Sequence, residues 1–353
     1  MNPRSTPSDL NGPAAAVAAA VLFGLAAPFA KLLLRETAPL MLSALLYLGA
    51  ALALNLFALG WPRPRPEARL TGNDWLPMVA IIAAGGIAGP FLMLLGLRRV
   101  SAVAGSLMLN LETPFTVLLA VLLFREHLGL AAALATGAIV MGGALLGFRP
   151  GELGGDWFGA IEIAGACLAW AADNNLSQQL SLKDPLDVGR AKTLGAGVCV
   201  LIIALLAGVR FPGLRGSAAA LALGAGSYGL SLVLALKAMR LMGAAREAAY
   251  FSPAPFIGAL VAVPIFREWP HAVDWIGSCL MAIGVVALTT ERHEHLHAHA
   301  PIEHEHLHYH DVHHQHLHPQ PEVEEPHSHW HRHAAYSHAH RHYPDAHHRH
   351  SHK

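Results

Sequence analysis

The chain has 353 residues, of which 54% are hydrophobic and 14% charged, with 24 Lys and Arg against 24 Asp and Glu. An ordinary soluble domain carries roughly 25% charge, so a water-solvated core with a polar shell is excluded, and so is a nucleic-acid binder with a basic surface. The average also hides a division: residues 1–290 hold 19 Lys and Arg, 15 Asp and Glu and two His, whereas residues 291–353 hold 5, 9 and 23.

Residues 1–11 read as a short cytoplasmic segment. The apolar stretch from Gly12 to Leu34 exceeds the roughly 7–15 residues of a signal-peptide core, and only Arg4 precedes it, so it is expected to be a retained first helix. Apolar runs bounded by charges and turn residues then predict transmembrane helices near 12–34, 38–60, 74–97, 101–124, 128–147, 157–180, 187–208, 217–240, 244–266 and 271–290. Thr37 to Gly60 and Leu128 to Gly147 contain no Asp, Glu, Lys or Arg, and at about 1.5 Å per residue each crosses about 30 Å of hydrocarbon. Connections are short, such as Arg125-Glu126-His127, which leaves no room for a soluble catalytic domain. No Ser/His/Asp set, phosphate loop or HExxH motif appears, so the chain is not expected to be an enzyme. Cys167, Cys199 and Cys279 are scattered through apolar segments and read as packing residues.

Residues 97–147 repeat in 239–289. Phe124-Arg125-Glu126 recurs as Phe266-Arg267-Glu268 at an offset of 142, and Pro114 and Pro255 agree with that offset to within one residue. Spans one and six match more loosely, with interruptions expected at Ala26-Ala27-Pro28-Phe29 and at Asp173-Asn174-Asn175. Two five-helix repeats are therefore expected, 12–147 and 157–290, joined by a linker at 148–156. An odd number of spans per repeat makes the second enter the membrane upside down. The expected fold class is an all-α integral membrane protein with ten transmembrane helices as two inverted five-helix repeats, followed by a disordered His-rich tail at 291–353. Lys and Arg near the span ends number eleven on the side of the N-terminus and eight on the other, so both termini are assigned to the cytoplasm.

The stretch Ser106-Leu107-Met108-Leu109-Asn110-Leu111-Glu112-Thr113-Pro114-Phe115, running to Phe124-Arg125-Glu126, carries a family resemblance. So do its counterpart, Tyr250-Phe251-Ser252-Pro253-Ala254-Pro255-Phe256 running to Phe266-Arg267-Glu268, and the final helix from Ile276-Gly277 to Gly284. Residues 12–290 on this basis resemble the drug/metabolite transporter superfamily, specifically EamA-type proteins. In that family a proline precedes the helix-closing Glu by thirteen residues, which fits Pro255 and Glu268; Pro114 precedes Glu126 by twelve, which alters the helix register in the first half. The resemblance implies a multi-pass protein of the cell inner membrane that carries a metabolite or drug-like solute by alternating access, read here as an exporter and as a monomer or homodimer. It does not name the solute.

Charged groups at bilayer depth cost roughly 2.5–3.5 kcal/mol each on insertion scales and mark functional positions. Glu112 sits midway along span four beside Asn110, Thr113 and Pro114, where a proton- or cation-coupled carrier needs a carboxylate; the competing reading is an ion pair that fixes packing. Trp170, Asp173 and Asn174 form the polar stretch of span six with Asn175, Gln178 and Gln179, either lining the solute path or bridging helices. Glu247 and Tyr250 open span nine with Arg246, as a gate or as interfacial anchors. Lys31 and Glu162 are expected to reach the membrane surface. Arg125/Glu126 and Arg267/Glu268 read as helix-closing turns that lock a conformation, and Gly85, Gly86 and Gly89 as a face for close helix approach.

In the tail, His occupies every second position: His293, His295, His297 and His299, then His304, His306, His308 and His310, then His327, His329, His331 and His333. In an extended chain this spacing brings imidazoles to one side, and imidazole is a ligand for Zn, Ni, Co and Cu ions. The competing reading is a solvated low-complexity segment. No cofactor is required by the reading. The expected function is export of a small solute, with a metal-binding tail; the alternatives are a carrier of metal ions or complexes, and a membrane anchor for a metal-storing tail.

Overall fold

A computed structural model of the chain describes residues 11–60, 70–124, 129–147, 157–177, 180, 183–242, 244–290, 293–299, 302–308, 327–333 and 336–342. Among the described residues there are ten helical rods: α1 (Gly12–Leu33), α2 (Pro39–Gly60), α3 (Gly72–Arg99), α4 (Ala102–Leu122), α5 (Leu130–Gly147), α6 (Trp157–Ser177), α7 (Pro185–Leu206), α8 (Leu214–Met239), α9 (Arg246–Phe266) and α10 (Ala272–Leu288). Eight are long and apolar enough to cross a membrane by length and composition; α6 carries Glu162 and Asp173, and the apolar run of α10 is shorter. The rods are apolar all round. Leu56, Leu59, Leu122, Leu134, Ile202, Leu206, Leu260 and Ile283 point outward, an arrangement that lipid solvates and water does not.

Three rods pack against their own repeat counterparts, and each pair is antiparallel. Along α2 and α7, Leu48 meets Gly197 while Asn55 accepts hydrogen bonds from Arg190. Between α5 and α10, Gly142 faces Gly277 and Met281, and Gly284 faces Ala135 and Ile139. Between α4 and α9, Ser106 lies on Gly258 while Ala102 meets Glu268. Two further large contacts, α1 on α8 and α3 on α6, exchange with each other when the halves are swapped, and α2 packs along α8 as well. A helix that runs antiparallel to its own counterpart is what an inverted repeat requires. All chain connections alternate between two ends, called here the terminal end, where α1 begins and α10 finishes, and the far end.

Breaks in the helices follow the repeat as well. A π-helical segment interrupts α3 at Ile82–Ala88 and α8 at Ala225–Leu230. A 3-10 turn interrupts α4 at Leu109–Leu111, just before Pro114, and Ser252-Pro253 interrupts α9. Helix α1 breaks at Leu25, as expected near Pro28, whose missing N–H leaves Gly24 without its helical donor. The interruption expected at Asp173-Asn174-Asn175 is absent: α6 is continuous to Ser177. The Asn175 amide donates to Ala171 O within the helix at 2.8 Å, so the polar run is held helical from inside.

Beyond Thr290 the described residues are extended. Strands β1 (His293–His299) and β4 (Tyr336–His342) pair antiparallel, as do β2 (Ile302–His308) and β3 (His327–His333). This extended backbone is the one for which alternate His share a side. His310 lies outside the described residues, as do Glu126 and the linker at 148–156.

Candidate functional site

Four polar residues of α4, α6 and α7 meet mid-bundle, and the helix breaks explain how. The 3-10 turn at Leu109–Leu111 ends at Glu112, which starts the next helical segment. Its carboxylate Oε1 accepts a hydrogen bond from Asn174 Nδ2 at 2.7 Å. One residue back on α6, Asp173 is 3% exposed and forms an ion pair with Lys192 of α7, with Ser177 Oγ donating to its other oxygen at 3.1 Å. Asn175 donates to Thr116 O at 3.2 Å and fastens α6 to α4.

The π segment of α3 supplies the wall behind them. The carbonyl of Gly85 accepts from Tyr47 OH at 2.8 Å and from Trp170 Nε1 at 3.0 Å. A Cβ on Gly85 would lie 1.9 Å from Asp173 Oδ2, and one on Gly89 2.6 Å from Trp170 Nε1. The glycine face expected to serve close helix approach therefore also seats the polar residues of α6.

Tyr47, Glu112, Trp170, Asp173, Asn174 and Lys192 line a cavity of about 300 Å³ with Phe23, Thr193, Ser227, Tyr228, Ser231 and Phe251. Four rings run through its wall in sequence: Phe251 to Phe23 at 5.4 Å, Phe23 to Tyr228 at 5.9 Å, and Tyr228 to Tyr47 at 5.8 Å. On α6, α7, α8 and α9 the lining residues lie in the half nearer the terminal end.

Of the residues singled out in the sequence, Glu112, Trp170, Asp173 and Asn174 line this cavity. Asn110 does not: it is buried, and its amide donates to Leu107 O in its own helix at 2.9 Å. Glu247 is 8% exposed on α9, one turn before Phe251 and outside the lining, and Tyr250 is 44% exposed and also outside it. Lys31, expected at the membrane surface, donates to Val100 O, lies 4.0 Å from Glu268 and lines a cavity at the far end with Arg98 and Arg267. Glu162 pairs with Arg99 at 3.1 Å. Lys192, Tyr47, Tyr228, Phe23 and Phe251 were not legible as site residues. Of the twelve tail histidines singled out in the sequence, all but His310 lie on described backbone, and their side chains are outside what the structure describes.

The family model described as EamA-like transporter family matches residues 10–148 and again 157–290. An uncharacterized transporter of Methanothermobacter thermautotrophicus is 30% identical over 295 residues, covering 77% of this chain and 84% of that protein. A solved crystal structure, titled only as that of a protein, is similar with a TM-score of 0.58 at 18% identity, covering 79% of this chain and 95% of the other, and shows the same fold.

Proposed function

This chain belongs to the EamA-like transporter family, and on that premise we propose that it exports a small solute bearing a protonated amino group, by alternating access through the central cavity. One observation carries the choice of solute. Asp173 and Lys192 neutralise each other, while Glu112 has an amide neighbour and, among the described residues, no cation within ion-pair distance. The cavity thus presents one uncompensated carboxylate inside an aromatic wall, where an ammonium gains both charge pairing and ring contacts. A carboxylate-bearing solute meets a lysine already engaged. A volume of about 300 Å³ is at the small end of ligand sites and suits a solute of amino-acid size. Glu112 takes up a proton when the amine leaves, so proton and solute alternate on one carboxylate. Export is supported by the cavity's offset toward the terminal end, the side with more Lys and Arg.

The test is uptake into liposomes holding the purified protein, driven by a proton gradient and challenged with small amines and dicarboxylates. Glu112→Gln is expected to lower amine transport at least about a hundredfold with an unchanged elution profile, since a buried polar contact to charge is lost. Normal amine transport by that variant, or preference for dicarboxylates, overturns the reading.

A second reading concerns the tail, which we propose binds transition-metal ions. It is supported by strand register: His293, His295 and His297 stand opposite His342, His340 and His338, and His304, His306 and His308 opposite His331, His329 and His327. Directly opposed residues have Cβ atoms about 4.5–5.5 Å apart, a spacing two imidazoles can bridge through one ion. Calorimetric titration of the full chain with Zn²⁺ or Ni²⁺ is expected to show several sites, and fewer and weaker ones when these twelve of the 23 tail histidines become alanine. Equal binding by that variant removes the reading.

A further inference from the structure

We propose that Glu268 is the latch that holds the far end of the carrier shut. The proposal rests on the transport reading and deepens it by naming the contacts that hold one of its two states.

Glu268 follows the last turn of α9. Arg267, at φ 55°, takes the left-handed conformation that ends the helix and folds the chain back. The Glu268 carboxylate oxygen Oε2 then accepts from the backbone N–H of Ala102 at 2.6 Å and of Val103 at 3.2 Å. Those are the first donors of α4, which its own helix cannot satisfy. The other oxygen lies 4.0 Å from Lys31 Nζ, and Lys31 donates to Val100 O. One carboxylate thereby ties the far ends of α1, α4 and α9 together. Just below, Gly24 and Gly258 bring α1 and α9 into backbone contact, with Ser106 of α4 against Gly258.

The latch separates two cavities. Above it, a vestibule of about 540 Å³ is lined by Lys31, Ser101, Val103 and Glu268 together with Arg98 and Arg267. Below it lies the solute cavity, with Glu112 three turns further along α4 from Ala102. A solute arriving from the far end therefore meets the latch before Glu112.

The test uses the full chain, with Cys167, Cys199 and Cys279 replaced by alanine, in membrane vesicles of known sidedness. Ser106→Cys reports opening of the far end, because Ser106 is 1% exposed just beneath the latch. An impermeant thiol reagent applied from the far side is expected to label it about tenfold faster in Glu268→Ala, since two charge-assisted bonds are lost. Glu268→Gln, which keeps an acceptor but no charge, is expected to fall between parent and alanine variant, and it serves if the alanine variant fails to fold. Unchanged labelling in both Glu268 variants overturns the proposal. A labelling switch in a protein that carries no amine would count against the solute assignment and leave the latch standing; amine transport without a switch would do the reverse.

Discussion

Gly85 holds the cavity wall open to the polar residues of α6 by having no side chain. Any Cβ there collides with the Asp173 carboxylate, and both Tyr47 and Trp170 hang from its carbonyl. Overpacking of this kind costs about 1–3 kcal/mol, so Gly85→Ala is expected to lower the melting midpoint in detergent and to abolish transport. Gly137→Ala, where nothing lies within 4 Å, is the matched control and is expected to be silent in both measurements. A second pair of variants probes the buried ion pair. Lys192→Met leaves Asp173 uncompensated and is expected to destabilise by about 3–5 kcal/mol, whereas the double variant with Asp173→Asn regains most of the loss; equal instability of single and double variants in thermal melts would mean the pair is not coupled. Glu112, Trp170, Asp173 and Asn174 were legible because polarity inside an apolar run is costly and therefore conspicuous. Lys192 was not, because two turns from the start of α7 it reads as a flanking charge. Phe23, Tyr47, Tyr228 and Phe251 carry no such signal: on helices that are apolar all round, an aromatic facing the cavity looks like one facing lipid.

At the scale of elements, the informative features are the places where helices depart from 3.6 residues per turn. The π segments of α3 and α8 fall at equivalent places in the two halves, yet hydrophobic periodicity could not reveal them, since both faces of each rod are apolar. Prolines did mark the breaks of α1, α4 and α9, because a missing donor acts locally whatever the surroundings. The polar run of α6 suggested a break that is not there, since the Asn175 side-chain N–H groups donate both within α6 and across to α4. Arg267 is the one described non-glycine residue with positive φ. Arg267→Gly is expected to stabilise the protein by about 0.5–1 kcal/mol by removing the cost of the left-handed conformation, and Arg267→Val to destabilise it, both read as shifts in thermal unfolding. The turn itself is what aims Glu268 at α4, so glycine keeps that aim while valine does not.

At the scale of the molecule, the repeat fixes both the count of rods and their directions. Because α2, α4 and α5 each run antiparallel to their counterparts, the two halves form a pair related by a rotation about an axis in the membrane plane, and the cavity sits where they meet. The scaffold obeys this symmetry but the chemistry does not: the residue equivalent to Glu112 at the offset of 142 is Ala254, so the first half brings Glu112 and the second brings Asp173, Asn174 and Lys192, while each half brings two of the four wall rings. Inversion has a direct topological consequence. Thr71 and Gly213 are repeat equivalents, both exposed, each just before the helix that opens the third span of its half. A parallel repeat puts them on the same face of the membrane; an inverted one puts them on opposite faces. In a cysteine-free background, Thr71→Cys is expected to react with an impermeant reagent only in inverted vesicles and Gly213→Cys only in intact cells, given termini in the cytoplasm. Labelling of both from one side would break the inverted arrangement, and exchange of the two sides would keep it while placing the termini outside, which would turn the cavity toward the exterior and reverse the direction of transport proposed here.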